Sequence, residues 1–319
     1  MTKTPFWFRS VNPVSVLLAP VSAVYSVLSK VVSISRLFCG KTSKTPVISI
    51  EKTHVGGPGS TPLVREIARY LGAPVVMPGR GRGVKIKASD GARDVGAAAK
   101  MLAMSGADVY VGNTAESIDL IDYSESKAPA VVLDGSRPRA RNGISVLLLD
   151  EGIGNGLLLP AGPMRGTLRS GVRRNDAVLL GRDVAPAAAA RVMRIAKNAK
   201  KPVFFIKNEF DATGLFGRYV AFSCGNAGRF WAALRGTVSM RVVEKVPFRK
   251  NHFHTRDEIV RLFQSAKKYE ARLVCAERDW VTLPRNIRQK IRFAPEKAAL
   301  PPNFYIWLEK KLGANNEGN

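Results

Sequence analysis

From Thr45 onward the chain alternates short runs of β-branched and apolar residues with helical stretches. No other feature limits the fold as much. PVISI (46–50), PVVM (74–77), DVYVG (108–112), APAVVLDG (128–135) and ISVLLLD (144–150) read as strands. So do AVLLG (177–181), PVFFIK (202–207), RYVAFS (218–223), MRVVEK (240–245) and RLVCA (272–276). Helical patterns fall between them: TPLVREIARYLG, DVGAAAKMLAMSG, and the stretches 185–199, 226–235 and 255–269. In the first of these Leu63, Ile67, Tyr70 and Leu71 share a face, Pro62 suits a first turn and Gly72 a stop. Alternation at this spacing predicts an α/β fold of layers around a mostly parallel sheet. A length of 319 residues fits two modest domains or one large one.

HVGGPGSTP (54–62) joins the first strand to the first helix. The phosphate-loop pattern is G-x-x-x-x-G-K-[ST], in which glycines let backbone N–H groups converge on phosphate oxygens at a helix N-terminus. Gly56, Gly57 and Gly59 keep the permissive backbone, and Thr61 keeps the magnesium-binding hydroxyl. His54 stands at the first glycine, and Ser60 replaces the lysine. The loop is thus either a nucleotide site or a Gly-rich strand–helix turn.

Twenty uncharged residues lie between Arg9 and Lys30. Ser15, Ser22, Ser26, Ser29 and Ser33 recur at helical spacing, and Val14, Leu17, Leu18, Val21, Tyr25, Leu28 and Val32 fall on the other side. Phe6, Trp7 and Phe8 precede them as interfacial aromatics. This predicts an amphipathic helix lying in a membrane surface. The alternatives are a helix docked on the protein itself and a cleaved signal peptide, against which Pro20 interrupts the apolar run.

Lys and Arg number 50 against 25 Asp and Glu, a net charge of +25 spread along the chain. Such a field attracts phosphates, anionic headgroups or nucleic acid; a diffuse excess is also what a solvated surface carries. The chain lacks the aromatic–basic and helix-turn-helix motifs of nucleic-acid readers, so nucleic acid is not the expected partner. Cys39, Cys224 and Cys275 form no Cys-x-x-Cys pair, which points to a reducing compartment. His252 and His254 form an H-x-H pair, a weak metal signal without a neighbouring acid or thiol in sequence.

Taken in order, VISIEKTHVGGPGSTPLVREIARYL, GRGRG (79–83), VVLDG (131–135), GNGLLLPAGPMR (154–165), AFSCGNAGRFWAALR (221–235) and CAERDWVTLP (275–284) resemble the tetraacyldisaccharide 4'-kinases, the lipid A pathway kinases of Gram-negative bacteria. The resemblance spans nearly the whole chain. It implies a P-loop α/β core with a second, smaller α/β lobe, and ATP and magnesium as cofactors. It implies phosphorylation of the 4' hydroxyl of a tetraacyl disaccharide 1-phosphate. The partners are then a lipid A disaccharide precursor and an anionic membrane surface, at the cytoplasmic face of the inner membrane, held peripherally or monotopically. The division expected is 1–40 for the membrane-surface segment, 41–175 for the nucleotide-binding core and 176–319 for the C-terminal lobe.

The departures from the family pattern fall on the chemistry. The family's G-G-T-G-K-T-P is Gly56 to Pro62 with serine for lysine. Its V-G-D-E-P becomes Val95-Gly96-Ala97-Ala98, and its D-D-G becomes Leu133-Asp134-Gly135. Its P-L-R-E becomes Pro163-Met164-Arg165-Gly166, and its F-x-D-H becomes Phe248-Arg249-Lys250-Asn251, with His252 one place along. Glu277 and Asp279 match family acids or cap the following turn. Carried over residue by residue, the resemblance assigns Asp134 and Arg165 to catalysis. Gly56, Gly57, Gly59, Ser60, Thr61 and Arg80 hold the nucleotide, and Thr61 and Asp134 hold magnesium. Arg80, Arg82, Lys85 and Lys87 are candidates for the charge lost at position 60. Two function classes follow: a diverged lipid A kinase, or a catalytically inactive relative that binds lipid, nucleotide or a partner at the membrane surface.

Overall fold

The computed structural model describes residues 6–8, 11–38, 45–52, 54–55, 59–79, 81–123, 128–135, 143–150, 153–225 and 227–316. Thirteen strands are present among them: β1 (Val47–Lys52), β2 (Val75–Pro78), β3 (Val84–Ile86), β4 (Val109–Gly112), β5 (Val131–Asp134), β6 (Ile144–Leu149), β7 (Ala177–Gly181), β8 (Val203–Phe210), β9 (Gly217–Cys224), β10 (Met240–Phe248), β11 (Arg272–Ala276), β12 (Arg292–Ala294) and β13 (Glu296–Ala299). They form a nine-stranded sheet in the order β13-β8-β7-β6-β1-β5-β2-β4-β3 and a four-stranded sheet in the order β10-β9-β11-β12. The alternation read from the sequence is therefore a mostly parallel α/β arrangement. Of the pairings with a defined register, only β3 with β4 is antiparallel.

Two compact units result. The larger takes Lys3–Ile86, Ala107–Lys207 and Ala298–Asn319; the smaller takes Met1–Thr2, Lys87–Gly106 and Asn208–Lys297. The sequence reading sets boundaries after residues 40 and 175; the compact units have theirs at 86/87, 106/107, 207/208 and 297/298.

In the larger unit the central strands are buried on both faces, as covered parallel strands are. Val47, Ile48 and Ile50 of β1 and Val131, Val132 and Leu133 of β5 have no exposed surface. One core joins Val47, Val76, Val131 and Leu133 to Ile118 and Ile121 of the helix Thr114–Tyr123. Another joins Leu147, Leu149, Val178 and Leu180 to Leu168, Val172 and Val192. Each fully buried aliphatic side chain contributes about 1.5–3 kcal/mol, so these strands fix the sheet before any loop is considered.

In the smaller unit β9 shows the two-residue period of a strand covered on both sides. Tyr219 and Ala221 pack with Phe230 and Leu234 of the helix Gly228–Gly236, while Val220 and Phe222 pack with Ile259, Leu262 and Ala266 of the helix Arg256–Lys268. That second helix starts with a capping box between Thr255 and Glu258.

The N-terminal segment forms α1 (Pro13–Leu17) and α2 (Ala19–Phe38), broken at Leu18. The serine face turns inward: Ser15 and Ser22 are buried. The apolar face turns outward, with Leu17 at 78% exposure and Val14, Val21, Val24, Val27 and Leu28 also open. Among the described residues no helix is long and apolar enough to cross a membrane.

Candidate nucleotide-binding site

Chain order reverses around β1. The chain moves from β1 outward to β2 and β4, returns to place β5 between β1 and β2, then crosses to β6 on the other side. In open parallel sheets the crevice beyond the carboxyl ends of strands at such a switch is where ligands bind. Lys52 ends β1, Asp134 ends β5, and Asp150 follows β6. Register pairs Ile50 with Asp134 and Lys52 with Leu148, so these residues share one edge.

α3 (Ser60–Leu71) starts from the same edge. Leu63, Val64, Ile67 and Ala68 bury its inner face, while Tyr70 is 45% exposed and donates through its hydroxyl to Glu309 at 2.6 Å. Of the face expected from sequence, Leu63 and Ile67 are buried; Val64 and Ala68 take the place of Tyr70 and Leu71. Gly59 precedes the helix at φ +103°, a conformation that a Cβ disfavours, and no side chain caps the helix. The first-turn N–H groups and helix dipole at this end favour an anion.

Ser60 is 1% exposed, and its hydroxyl has no hydrogen-bond partner among the described residues. Thr61 is half-buried. Asp134 is buried, and its Oδ1 accepts no hydrogen bond among the described residues; the Lys52 ammonium stands 3.4 Å from it, within ion-pair reach. Lys52 brings a cation to this edge that the loop itself lacks, and reading the loop pattern alone missed it. Its neighbour Glu51 is committed elsewhere. Arg174 donates to both its oxygens, at 3.0 Å from Nε and 2.5 Å from Nη2, and the Asn175 amide donates at 2.7 Å.

The segment 154–165 pins the start of the loop. His54 bridges Met164, and the Val55 N–H donates to the Pro163 carbonyl at 3.0 Å. Inside the segment the Asn155 amide donates to Ala161 at 2.9 Å, and a Cβ on Gly162 would meet Asn155 Oδ1 and the Leu157 carbonyl. α1 and α2 dock on it through their serines. Asn155 donates to the Ser15 hydroxyl at 3.0 Å. The Ser22 hydroxyl donates to Leu158 and accepts from the Ala161 N–H, both at 3.0 Å. Tyr25 donates to the Arg165 carbonyl at 3.2 Å.

The structure thus gathers Asp134, Ser60, Thr61 and Gly59 at one edge of the sheet. Arg165 is exposed, and its backbone carbonyl is what binds the N-terminal helix. Gly56, Gly57 and Arg80 lie outside the described residues. Among the candidate replacement cations, Lys85 is engaged with Asp108 at 2.8 Å, which holds its ammonium above the usual range, Arg82 is exposed, and Lys87 belongs to the smaller unit.

The family model of the tetraacyldisaccharide-1-P 4'-kinases matches residues 14–313. The chain belongs to that family. A tetraacyldisaccharide 4'-kinase of Bradyrhizobium diazoefficiens is 32% identical over 313 residues, covering 89% of this chain and 87% of that protein. One of Phenylobacterium zucineum is 29% identical over 289 residues, covering 84% and 80%. Among solved structures, an "apo" form of LpxK from Aquifex aeolicus, in complex with ATP, superposes with a TM-score of 0.67 at 18% identity, over 94% of this chain and 99% of that one.

The positions that depart from the tetraacyldisaccharide 4'-kinase pattern in the smaller unit are ordered. Ala97 and Ala98 open the helix Ala97–Met104 after Gly96 at φ +89°. Asn251 sits at φ +57° and accepts from Arg278 at 3.4 Å, while His252 is hydrogen-bonded to Glu258 at 2.8 Å. Glu277 and Asp279 lie in the helix Glu277–Trp280 and are buried. Asp279 accepts from the Ser223 hydroxyl and the Cys224 N–H at 2.9 and 3.0 Å, and Glu277 accepts from the Glu296 N–H at 3.0 Å. Burial pushes the Asp279 carboxyl up despite those bonds.

Proposed function

We propose that this family member transfers the γ-phosphoryl group of ATP to the 4' hydroxyl of a tetraacyl disaccharide 1-phosphate at a membrane surface. The observation that carries the reading is the pairing of a buried Asp134, with an unbonded carboxylate oxygen, and Lys52 at the sheet edge from which α3 starts. Two buried oxygens without hydrogen-bond partners among the described residues, the Ser60 hydroxyl and the Asp134 Oδ1 that only the Lys52 ion pair approaches, fit a site built to receive polar atoms.

In this reading residues 41–175 carry the nucleotide. Gly56, Gly57, Gly59, Ser60 and the first turn of α3 present backbone N–H groups to the phosphates, with Arg80 beside them. Thr61 and Asp134 supply oxygen donors for magnesium, as that ion prefers. Bound magnesium would neutralise charge on the phosphate oxygens. Lys52, released from Asp134, supplies the positive charge that Ser60 cannot, and Arg165 meets an anionic group of the acceptor. Phosphoryl transfer depends on positioning and charge neutralisation more than on covalent chemistry, so a lysine arriving from β1 can serve the role of one in the loop.

The open apolar face of α1 and α2 supports contact with a leaflet. Its serine face is consumed by the protein, so the apolar face is the one left for lipid. The net charge of +25 favours an anionic leaflet such as the cytoplasmic face of an inner membrane.

The test is ATP-dependent phosphorylation of a tetraacyl disaccharide 1-phosphate in detergent micelles. Wild type is expected to turn over, and Asp134→Asn and Lys52→Ala to lose most of that activity. Absence of turnover in folded wild type and in Ser60→Lys would assign the chain instead to binding without transfer.

A further inference from the structure

The smaller unit brings together three side chains of metal-ligating types, with a thiol beside one of them. We propose that His252, His254 and Glu258 form a zinc-class transition-metal site, with the Cys224 thiol as the fourth donor. One donor atom from each of the two histidines and from Glu258 lies within 4.8 Å of the others. His252 Nε2 is 2.8 Å from Glu258 Oε2, and His254 Nε2 is 3.9 Å from Cys224 Sγ. A tetrahedral zinc with bonds of about 2.0–2.3 Å needs donor atoms roughly 3.3–3.6 Å apart. The His252–Glu258 pair is closer than that spacing and all three donors lie within 4.8 Å of one another, so side-chain movements close the three-residue set; Cys224, 3.9 Å from His254 Nε2, has to turn in to complete it.

The local fold explains the convergence. β10 ends at Phe248, Asn251 turns the chain at φ +57°, and the helix Arg256–Lys268 starts five residues later with Glu258 in its first turn. Two histidines one residue apart then share a side. Phe248 stacks on His252 with ring centroids 5.2 Å apart and meets the His254 ring edge-on at 4.5 Å; Phe222 meets His254 at 5.2 Å. The aromatic collar limits the freedom of both imidazoles, which is what a ligand pair requires before metal arrives.

The simpler account is an ion pair between His252 and Glu258 together with the capping box, since Glu258 Oε2 also accepts the Thr255 N–H at 2.8 Å. That account leaves His254 unexplained. It is 9% exposed, and its Nδ1 has no hydrogen-bond partner among the described residues. The ion pair and the cap do not involve this buried ring, whose Nε2 is the nitrogen turned toward Cys224. Two imidazoles, a carboxylate and a thiol suit zinc; magnesium and calcium take oxygen ligands.

The full-length chain, stripped with a chelator, should be titrated with zinc(II) by calorimetry in excess magnesium. The expected result is one zinc per chain that magnesium does not displace. His252→Ala and Glu258→Gln, both partly exposed positions, should weaken it by about tenfold or more, and Cys39→Ser should leave it unchanged. Cobalt(II) in place of zinc should give the visible bands of a tetrahedral site, with a thiolate charge-transfer band that Cys224→Ser removes. Absence of saturable zinc binding by the folded wild type, or binding that His252→Ala and Glu258→Gln both leave intact, would overturn the proposal.

Discussion

Lys52 and Ser60 exchange roles across a few residues. The first is a lysine where the loop pattern expects none, and the second is a buried serine where it expects lysine. If Lys52 supplies the missing charge, Lys52→Ala should lower kcat on the order of 10²–10³-fold with a smaller change in KM, the pattern of a contact made mainly in the transition state. Steady-state kinetics in micelles checks it, and an equal rise in KM with kcat unchanged would mean Lys52 only binds. The clamp on Glu51 makes a stability prediction. Breaking one side of a largely buried ion pair leaves an uncompensated charge, so Arg174→Met should destabilise by about 3 kcal/mol. The Glu51→Met/Arg174→Met double variant should lose less, measured by urea denaturation. Ser22 both donates and accepts, to Leu158 and from Ala161, so Ser22→Ala should cost about 1–2 kcal/mol in the same assay. Much of this was legible in part. Asp134 stands out in the sequence because an acid ends an apolar run. Lys52 does not, because its relevance depends on which strand lies beside β1, and hydropathy says nothing about strand order.

At the scale of elements, the N-terminal segment takes up one alternative read from the sequence and leaves room for another. It is docked on the protein, and it keeps an apolar face open. The period separates a serine side from an aliphatic side, but it does not say which is inward. Serine buries here because each hydroxyl finds a carbonyl or N–H on the segment 154–165, satisfying a polar group that would otherwise be costly to bury. If the open face meets lipid, Val21→Asp combined with Leu28→Asp should reduce flotation with anionic vesicles by tenfold or more, while activity on detergent-dispersed substrate stays near wild type. Unchanged flotation would assign the exposed face to something other than a bilayer. Elements built from short or mixed sequence were not anticipated: β3, β12, β13 and the helices Thr114–Tyr123 and Pro302–Asn316. A three-residue strand carries too few residues to show a period. The expected helix over DVGAAAKMLAMSG splits at Gly96, whose φ of +89° no helix accommodates.

For the whole molecule, the parallel sheet was readable because fully buried strands are continuous apolar runs. The division into units was not, because the chain leaves the larger unit twice and returns, with no change of composition at the crossings. One path through the larger unit has a thermodynamic consequence. Ser22 holds Leu158 and Ala161; the Leu159 N–H donates to Met164; and Pro163 holds Val55 at the start of the loop. The N-terminal helices and the start of the loop are therefore anchored to the same twelve-residue segment. Any displacement that lipid imposes on the segment changes the loop's free energy, and linkage makes that relation symmetric. Vesicles that tighten nucleotide binding by some factor must be bound more tightly, by the same factor, when nucleotide is present. On the membrane-surface reading proposed above, a leaflet would then be an effector of the enzyme as well as a source of its substrate.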